Sequence, residues 1–127
     1  MLYLYRLLPL GYYNMHELAV SQNILDTSIK YAKAADAKKI LSINIVIGQF
    51  ASIIDDSLTF YWDLITKETI AQQSNLEFTR LPAKFCCREC GFLFNWDQDI
   101  YSCPACSSEK IIIQSGTEFY IESIEVE

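Results

Sequence analysis

Residues 87–106 have the sequence CRECGFLFNWDQDIYSCPAC, and this stretch decides the architecture of the chain. It holds two Cys-x-x-Cys pairs, Cys87 with Cys90 and Cys103 with Cys106, separated by 12 residues. Two residues between cysteines let both sulfurs face one ion, and four thiolates form a closed tetrahedral site. The spacing therefore predicts a four-cysteine metal site of the kind that holds structural zinc.

Alternatives to zinc stay open on the residues alone. Disulfides are disfavoured, because nothing marks the chain as secreted and an acidic domain of this size fits a reducing cytosol. Rubredoxin-like iron, which transfers electrons, shares the motif of Cys87, Cys90 and Gly91, but Ser107 stands where a rubredoxin usually has glycine. A fifth cysteine, Cys86, offers a three-residue spacing in place of Cys87, although the shorter spacing followed by Gly91 fits better, since glycine accepts the expected positive φ.

The sequence before the cysteines predicts two helices. Apolar residues at helical spacing predict the first helix over 15–35. Its buried stripe comprises Leu18, Val20, Ile24, Leu25, Ile29 and Ala32. A second helix begins at a polar cap among 55–57. Its apolar residues include Leu58, Phe60, Tyr61, Trp62, Leu64, Ile65 and Thr69.

Alternating residues predict the strands. A strand over 41–47 turns Leu41, Ile43, Ile45 and Ile47 to one face, and a second strand contains Leu76 and Phe78. Beyond the cysteines, 111–113 and 119–126 indicate further strands, the last with a bulge near Ser123. The terminal strand has no partner within the cysteine segment, so we expect it to return to the first sheet. The predicted fold is α+β, with two helices packed on a small three-stranded sheet and an inserted zinc-ribbon module.

Composition excludes several classes of protein. The chain has 127 residues, a net charge of −6, 51% hydrophobic and 20% charged residues, which is typical of a globular domain. Nucleic-acid binding is disfavoured because phosphates need clustered Lys and Arg. The sequence has no apolar run long enough for a transmembrane helix. A cytoplasmic protein is predicted.

The first 14 residues form an atypical N-terminal extension, with four tyrosines, five leucines and Arg6 as the one charge. Arg6 within the apolar stretch and Pro9 argue against a signal peptide. A genuine N-terminal strand or tail fits better, and translation starting at Met15 is favoured further. In that case 1–14 is absent from the mature protein.

The start site decides what the single histidine, His16, can bind. If Met15 is the first residue, its amine, the amide nitrogen and imidazole of His16, and the amide of Glu17 form a four-nitrogen set suited to Ni(II) or Cu(II). If Asn14 precedes it, Asn14 and Glu17 instead resemble a helix capping box. With no other context, His16 is a solvated residue in the first helical turn.

The combined pattern resembles the HypA/HybF family of hydrogenase nickel-insertion accessory proteins. The resemblance covers 15–127 and rests on residues 15–20 (MHELAV), 46–48 (VIG), 55–60, the two cysteine pairs and the ending 121–126 (IESIEV). The chain departs from the family pattern in three ways: Met15 is not the first residue, Gln49 stands where the family often has Glu, and Cys86 is additional.

The resemblance implies a nickel metallochaperone that is not an enzyme. It implies nickel at Met15, His16 and Glu17, and structural zinc at Cys87, Cys90, Cys103 and Cys106. It divides the chain into an α+β nickel-binding domain (15–82 and 115–127) and a zinc-binding ribbon (83–114). The implied partners are a HypB-type GTPase and the precursor of the [NiFe]-hydrogenase large subunit. A rubredoxin-like iron carrier and a zinc-ribbon interaction module are the alternative functions.

Overall fold

A computed structural model describes residues 2–4, 17–51, 55–97 and 99–127. Helix α1 spans Glu17–Ala34 and helix α2 spans Asp55–Ile65. The strands are β1 Leu2–Leu4, β2 Ile40–Gly48, β3 Asn75–Leu81, β4 Lys84–Cys87, β5 Leu93–Asn95, β6 Ile111–Ser115 and β7 Phe119–Val126.

The larger sheet has four strands in the order β1-β7-β2-β3. Strands β2 and β3 are parallel and joined through α2, whereas β7 is antiparallel to β2. These are the three predicted strands, and β7 returns from beyond the cysteines as expected. Strand β1 pairs with β7 through Leu2–Leu4, so part of the N-terminal extension adds a short edge strand. The predicted α+β class with two helices is confirmed.

Helix α1 packs on the sheet through a face that differs from the predicted stripe. Its buried residues are Val20, Ser21, Ile24, Leu25, Ser28 and Ala32. This face follows the i, i+4 row that starts at Val20, and Leu18 lies about 200° around the helix from Val20. Leu18 is 47% exposed, so its assignment to the core is wrong.

Strand β2 departs from simple alternation. Ile43, Ile45 and Ile47 are buried as predicted, but Leu41 is exposed and Val46 is buried. A register shift against β7 between Ile40 and Ser42 displaces Leu41 from the core face, so its prediction is wrong. A second shift, between Asn44 and Ile45, lies opposite 121–123, and it confirms the bulge predicted near Ser123.

Helix α2 buries Leu58 and Trp62 and exposes Phe60 and Leu64. The indole N–H of Trp62 donates to Ser74 Oγ at 2.9 Å, which ties α2 to the loop before β3. The helix ends at Ile65, so Thr69 lies in the following turns rather than in the helix. Among the described helices, neither is long and apolar enough to cross a lipid bilayer.

The smaller sheet is antiparallel, has the order β5-β4-β6 and contains the cysteine pairs at one end. Residues just after β2 join it to the larger sheet. The Ala83 N–H donates to Gln49 Oε1 at 2.8 Å, and the Phe50 N–H donates to the Gly116 carbonyl at 2.7 Å. The Phe50 ring also meets Trp96 edge-on, with centroids 5.4 Å apart. This junction positions the four-cysteine site relative to α1 and α2.

Candidate metal centre

The four cysteines lie on two similar turns. In the first, the Gly91 N–H donates to the Cys87 carbonyl at 2.9 Å, and in the second the Ser107 N–H donates to the Cys103 carbonyl at 2.8 Å. Each turn ends in a left-handed residue, Gly91 at φ 77° and Ser107 at φ 64°. The positive φ predicted for Gly91 is confirmed. Ser107 adopts the same conformation without being glycine, which the sequence did not reveal.

These turns bring the four sulfur atoms together. All four lie within 4.8 Å of one another, with 3.5 Å between Cys87 Sγ and Cys106 Sγ and 3.6 Å between Cys90 Sγ and Cys103 Sγ. A disulfide requires a separation of about 2.05 Å, so the cysteines are not paired in that way. Zinc–sulfur bonds of about 2.3 Å in a tetrahedron place the sulfurs about 3.8 Å apart. The cluster therefore fits a single metal ion held by four thiolates.

Cys86 lies outside this cluster. Its side chain is half-buried on β4, and its Sγ lies 3.6 Å from the backbone carbonyl of Cys87. Successive residues of a strand point to opposite faces, so Cys86 and Cys87 cannot both face the same ion from β4. The structure places Cys87 with the other three cysteines and leaves Cys86 aside.

The surroundings of the four thiols are unequal. Cys87 and Cys103 are buried, whereas Cys90 and Cys106 are exposed. The Cys90 backbone N–H stabilises the Cys87 thiolate and, against desolvation, lowers the pKa of Cys87 to about 6. At Cys106 the Ser108 N–H acts in the same direction, but the Cys87 sulfur and desolvation outweigh it and raise the pKa to about 12. Cys87 is therefore a thiolate at neutral pH without metal, and Cys106 is a thiol.

Metal affinity is expected to fall as the pH decreases, with a steeper fall below pH 6. Against the Phe92 N–H, desolvation and the Cys103 sulfur raise the pKa of Cys90, so at pH 7 an incoming ion displaces protons from both Cys90 and Cys106. Below the Cys87 pKa of about 6, one further proton must be displaced. Competition with a chromogenic chelator for Zn(II) between pH 5 and 8 measures this slope. An affinity independent of pH across this range contradicts the prediction.

The second predicted ligand set precedes α1. Met15 and His16 lie outside the described residues, as does Asn14 of the alternative capping box. Glu17 is the first residue of α1, is half-buried, and accepts a hydrogen bond on its backbone carbonyl from Ser21 Oγ at 2.8 Å. The described part of the chain therefore places one of the three nickel candidates, at the N-terminal end of a helix.

Comparison with known proteins extends these observations to the whole chain. The family model described as "HypA: Hydrogenase/urease nickel incorporation, metallochaperone, hypA" matches residues 15–126. The chain belongs to the HypA family. Members of this family are nickel metallochaperones of hydrogenase maturation, so this HypA-family chain is a metal carrier and not an enzyme.

Individual relatives agree with this assignment. Hydrogenase maturation factor HypA of Dehalococcoides mccartyi (strain CBDB1) is 41% identical over 113 residues, which cover 89% of this chain and 95% of the relative. The factor of the same name from Caldanaerobacter subterraneus subsp. tengcongensis is 39% identical over 114 residues, covering 89% of this chain and 100% of the relative.

Two solution structures share the fold. The Ni metallochaperone HypA from Helicobacter pylori superposes with a TM-score of 0.61 at 23% identity, covering 88% of this chain and 97% of that chain. Another HypA protein superposes with a TM-score of 0.71 at 22% identity, covering 91% of this chain and 98% of that chain. At these identities the likeness concerns the arrangement of the helices and the two sheets.

Proposed function

We propose that this HypA-family chain binds Ni(II) at Met15, His16 and Glu17 and delivers it to the precursor of the [NiFe]-hydrogenase large subunit. The observation that carries the proposal is the extent of the family match, which begins at Met15 and so opens on this motif. A HypB-type GTPase is the proposed partner for nucleotide chemistry, because this sequence has no glycine-rich phosphate loop. The proposed location is the cytoplasm, where reduced thiols persist.

The nickel site uses nitrogen ligands. The imidazole of His16 and the amide nitrogens of His16 and Glu17 suit the planar geometry that Ni(II) adopts with nitrogen ligands. In a chain that starts at Met15, the terminal amine completes a set of four. With Asn14 attached, Met15 offers an amide in place of the amine, so we expect weaker nickel binding by the longer chain. A site on a chain terminus also releases its ion more readily than a closed cage.

Zinc is the proposed resident ion of the four-cysteine cluster. The cluster has four sulfur donors and no water-filled position, the arrangement that structural zinc prefers. Bound zinc supplies folding energy and no redox chemistry. We therefore assign the chain a zinc-binding ribbon over 83–114 and a nickel-binding domain over 15–82 and 115–127.

The substitution His16→Ala is expected to lower the affinity for Ni(II) at least tenfold, because it removes the only imidazole of the chain. Equilibrium dialysis with NiCl2 measures the affinity, in the full chain and in a chain that starts at Met15. Loss of the visible absorption of planar nickel reports the same change. Lys30→Ala, an exposed position on α1, serves as the control and is expected to bind nickel like the parent.

An unchanged nickel affinity in His16→Ala, in both chain lengths, contradicts the proposed site. A zinc-ribbon module that only binds other proteins would then explain the chain better. Equal affinity of the two lengths combined with loss in His16→Ala would retain the imidazole and remove the terminal amine from the ligand set.

A further inference from the structure

The smaller sheet exposes most of the apolar surface of the described chain. Five of the nine exposed large hydrophobic side chains among the described residues belong to it or its loops: Phe92, Leu93, Tyr101, Ile112 and Ile113. Leu93 and Ile112 both pair with Cys86, so these three side chains form one row across β5, β4 and β6. The opposite row, with Phe85 and Phe94, faces Phe50 at the junction. The Leu93–Cys86–Ile112 row is thus the uncovered face.

Strand β6 is an edge strand without the usual protection. The described strands pair with β6 on one side alone, through β4. Proteins commonly guard such edges with lysine, proline or inward charges. Strand β6 has the sequence IIIQS, which contains none of these, and Ile112 and Ile113 are 46% and 53% exposed. An apolar, uncharged edge of this kind favours pairing with another strand.

The backbone of β6 is oriented for such pairing. The Cys87 N–H donates to the Phe92 carbonyl toward β5, and the Arg88 N–H donates to the Lys110 carbonyl toward β6. Hydrogen-bonding directions alternate along an antiparallel strand, so the Ile112 backbone groups face β4. The N–H and carbonyl of Ile113 and the carbonyl of Ile111 therefore point outward.

We propose that the outer edge of β6 pairs antiparallel with β6 of a second copy of this chain, about a two-fold axis at Ile112. In this register each Ile113 N–H donates to the Ile111 carbonyl of the other copy, and the two Ile112 side chains lie side by side. The two three-stranded sheets become one sheet of six strands, and the exposed apolar row continues across the axis. A symmetric contact of this type uses the same patch on both chains.

Charge favours a second copy as the occupant. The chain carries a net charge of −6, so two copies repel each other on approach. Residues 83–114 contain three basic and four acidic side chains, so −1 of this charge lies there and −5 lies elsewhere. Contact through β6 therefore keeps most of the negative charge of the two chains apart. The contact is smaller than the interfaces of about 800 Å² per partner that stable dimers use, so a weak dimer is expected.

Sedimentation velocity of the zinc-loaded full chain tests this pairing, over about 5 to 500 µM because small interfaces associate in this range. The mean mass of the parent is expected to rise toward two chains. Ile112→Lys places two cations side by side at the axis, and we expect it to raise the dimer dissociation constant at least tenfold. Leu93→Lys changes the same apolar row on the far edge strand and is the matched control, expected to dimerise like the parent. Zinc content verifies that each variant is folded.

Disulfide trapping tests the register. In a Cys86→Ser background, Ile112→Cys is expected to form a cross-linked dimer on oxidation with glutathione disulfide, whereas Leu93→Cys is not. Native Cys86 lies on β4, three strand spacings or about 14 Å from its equivalent, so the parent is not expected to cross-link through it. A parent that stays monomeric at the highest concentration overturns the proposal. So does a dimer that Ile112→Lys leaves intact, or one that Leu93→Lys weakens equally. None of these outcomes depends on nickel binding.

Discussion

Cys103→Ser is expected to release the bound zinc and unfold residues 83–114, while the two helices and the larger sheet stay folded. Of the described residues in that segment, Ala83, Cys87 and Cys103 alone are buried, so the metal takes the place of an apolar core. Structural zinc contributes on the order of 10 kcal/mol or more to the folding of such units. The main core cluster of the described chain contains no residue of 83–114, so the remainder keeps its own packing.

Two measurements on the purified full chain check this expectation. Metal analysis after gel filtration reports the zinc content, and amide hydrogen exchange reports which strands have opened. Cys86→Ser is the matched control, because Cys86 lies outside the cluster, and it is expected to retain one zinc. Stoichiometric zinc in a variant lacking all four cluster cysteines would rule out the site. A red, iron-containing protein from aerobic purification would replace zinc with rubredoxin-like iron.

Gly48→Ala is expected to destabilise the zinc-loaded chain by about 3 kcal/mol, at the upper end of overpacking costs. A Cβ at position 48 would overlap the Gly116 carbonyl group and lie 2.7 Å from the Thr117 nitrogen. The backbone cannot withdraw freely, because the Gly48 N–H donates to the Glu118 carbonyl at 2.6 Å and the Phe50 N–H to the Gly116 carbonyl at 2.7 Å. The substitution therefore costs either a steric overlap or hydrogen bonds at the junction.

Urea unfolding followed by tryptophan fluorescence measures this loss of stability. The neighbouring Gln49→Ala is the control, because it removes one exposed acceptor for the Ala83 N–H, worth about 1 kcal/mol. Zinc content is expected to stay at one ion per chain in both variants, since neither touches the cysteines. If Gly48→Ala costs no more than Gln49→Ala, the segment around Gly116 moves aside easily and the close approach has no energetic weight.

The cysteine site could be predicted because its geometry is local. Each pair occupies one turn, and the bond pattern of that turn depends on a few consecutive residues, as the matching hydrogen bonds at Gly91 and Ser107 show. Helices and strands were predictable for the same reason, since their periodicity is a property of short segments. The return of β7 to the first sheet followed from its apolar alternation and from the lack of a partner nearby. The nickel ligands Met15 and His16 stay a prediction of the sequence.

Exposure at individual positions was not predictable in this way. Leu18, Leu41 and Phe60 are as apolar as their buried neighbours, yet all three are exposed. Leu18 depends on which face α1 turns to the sheet, and Leu41 depends on a register shift against β7, a strand almost 80 residues further along the chain. Both depend on long-range packing, which local periodicity does not encode.

By itself, the sequence determined the order of helices and strands, the four-cysteine cluster and the family, because these depend on residue types at short spacing. Only the tertiary structure decided where the cluster sits and what surrounds it. Gly48 and Gly116 meet across 68 residues of chain, and Phe50 and Trp96 meet across 46. The exposed row of Leu93, Cys86 and Ile112 likewise assembles from three strands. Such contacts arise when distant segments compete for the same space, and that competition is settled by the packed fold as a whole.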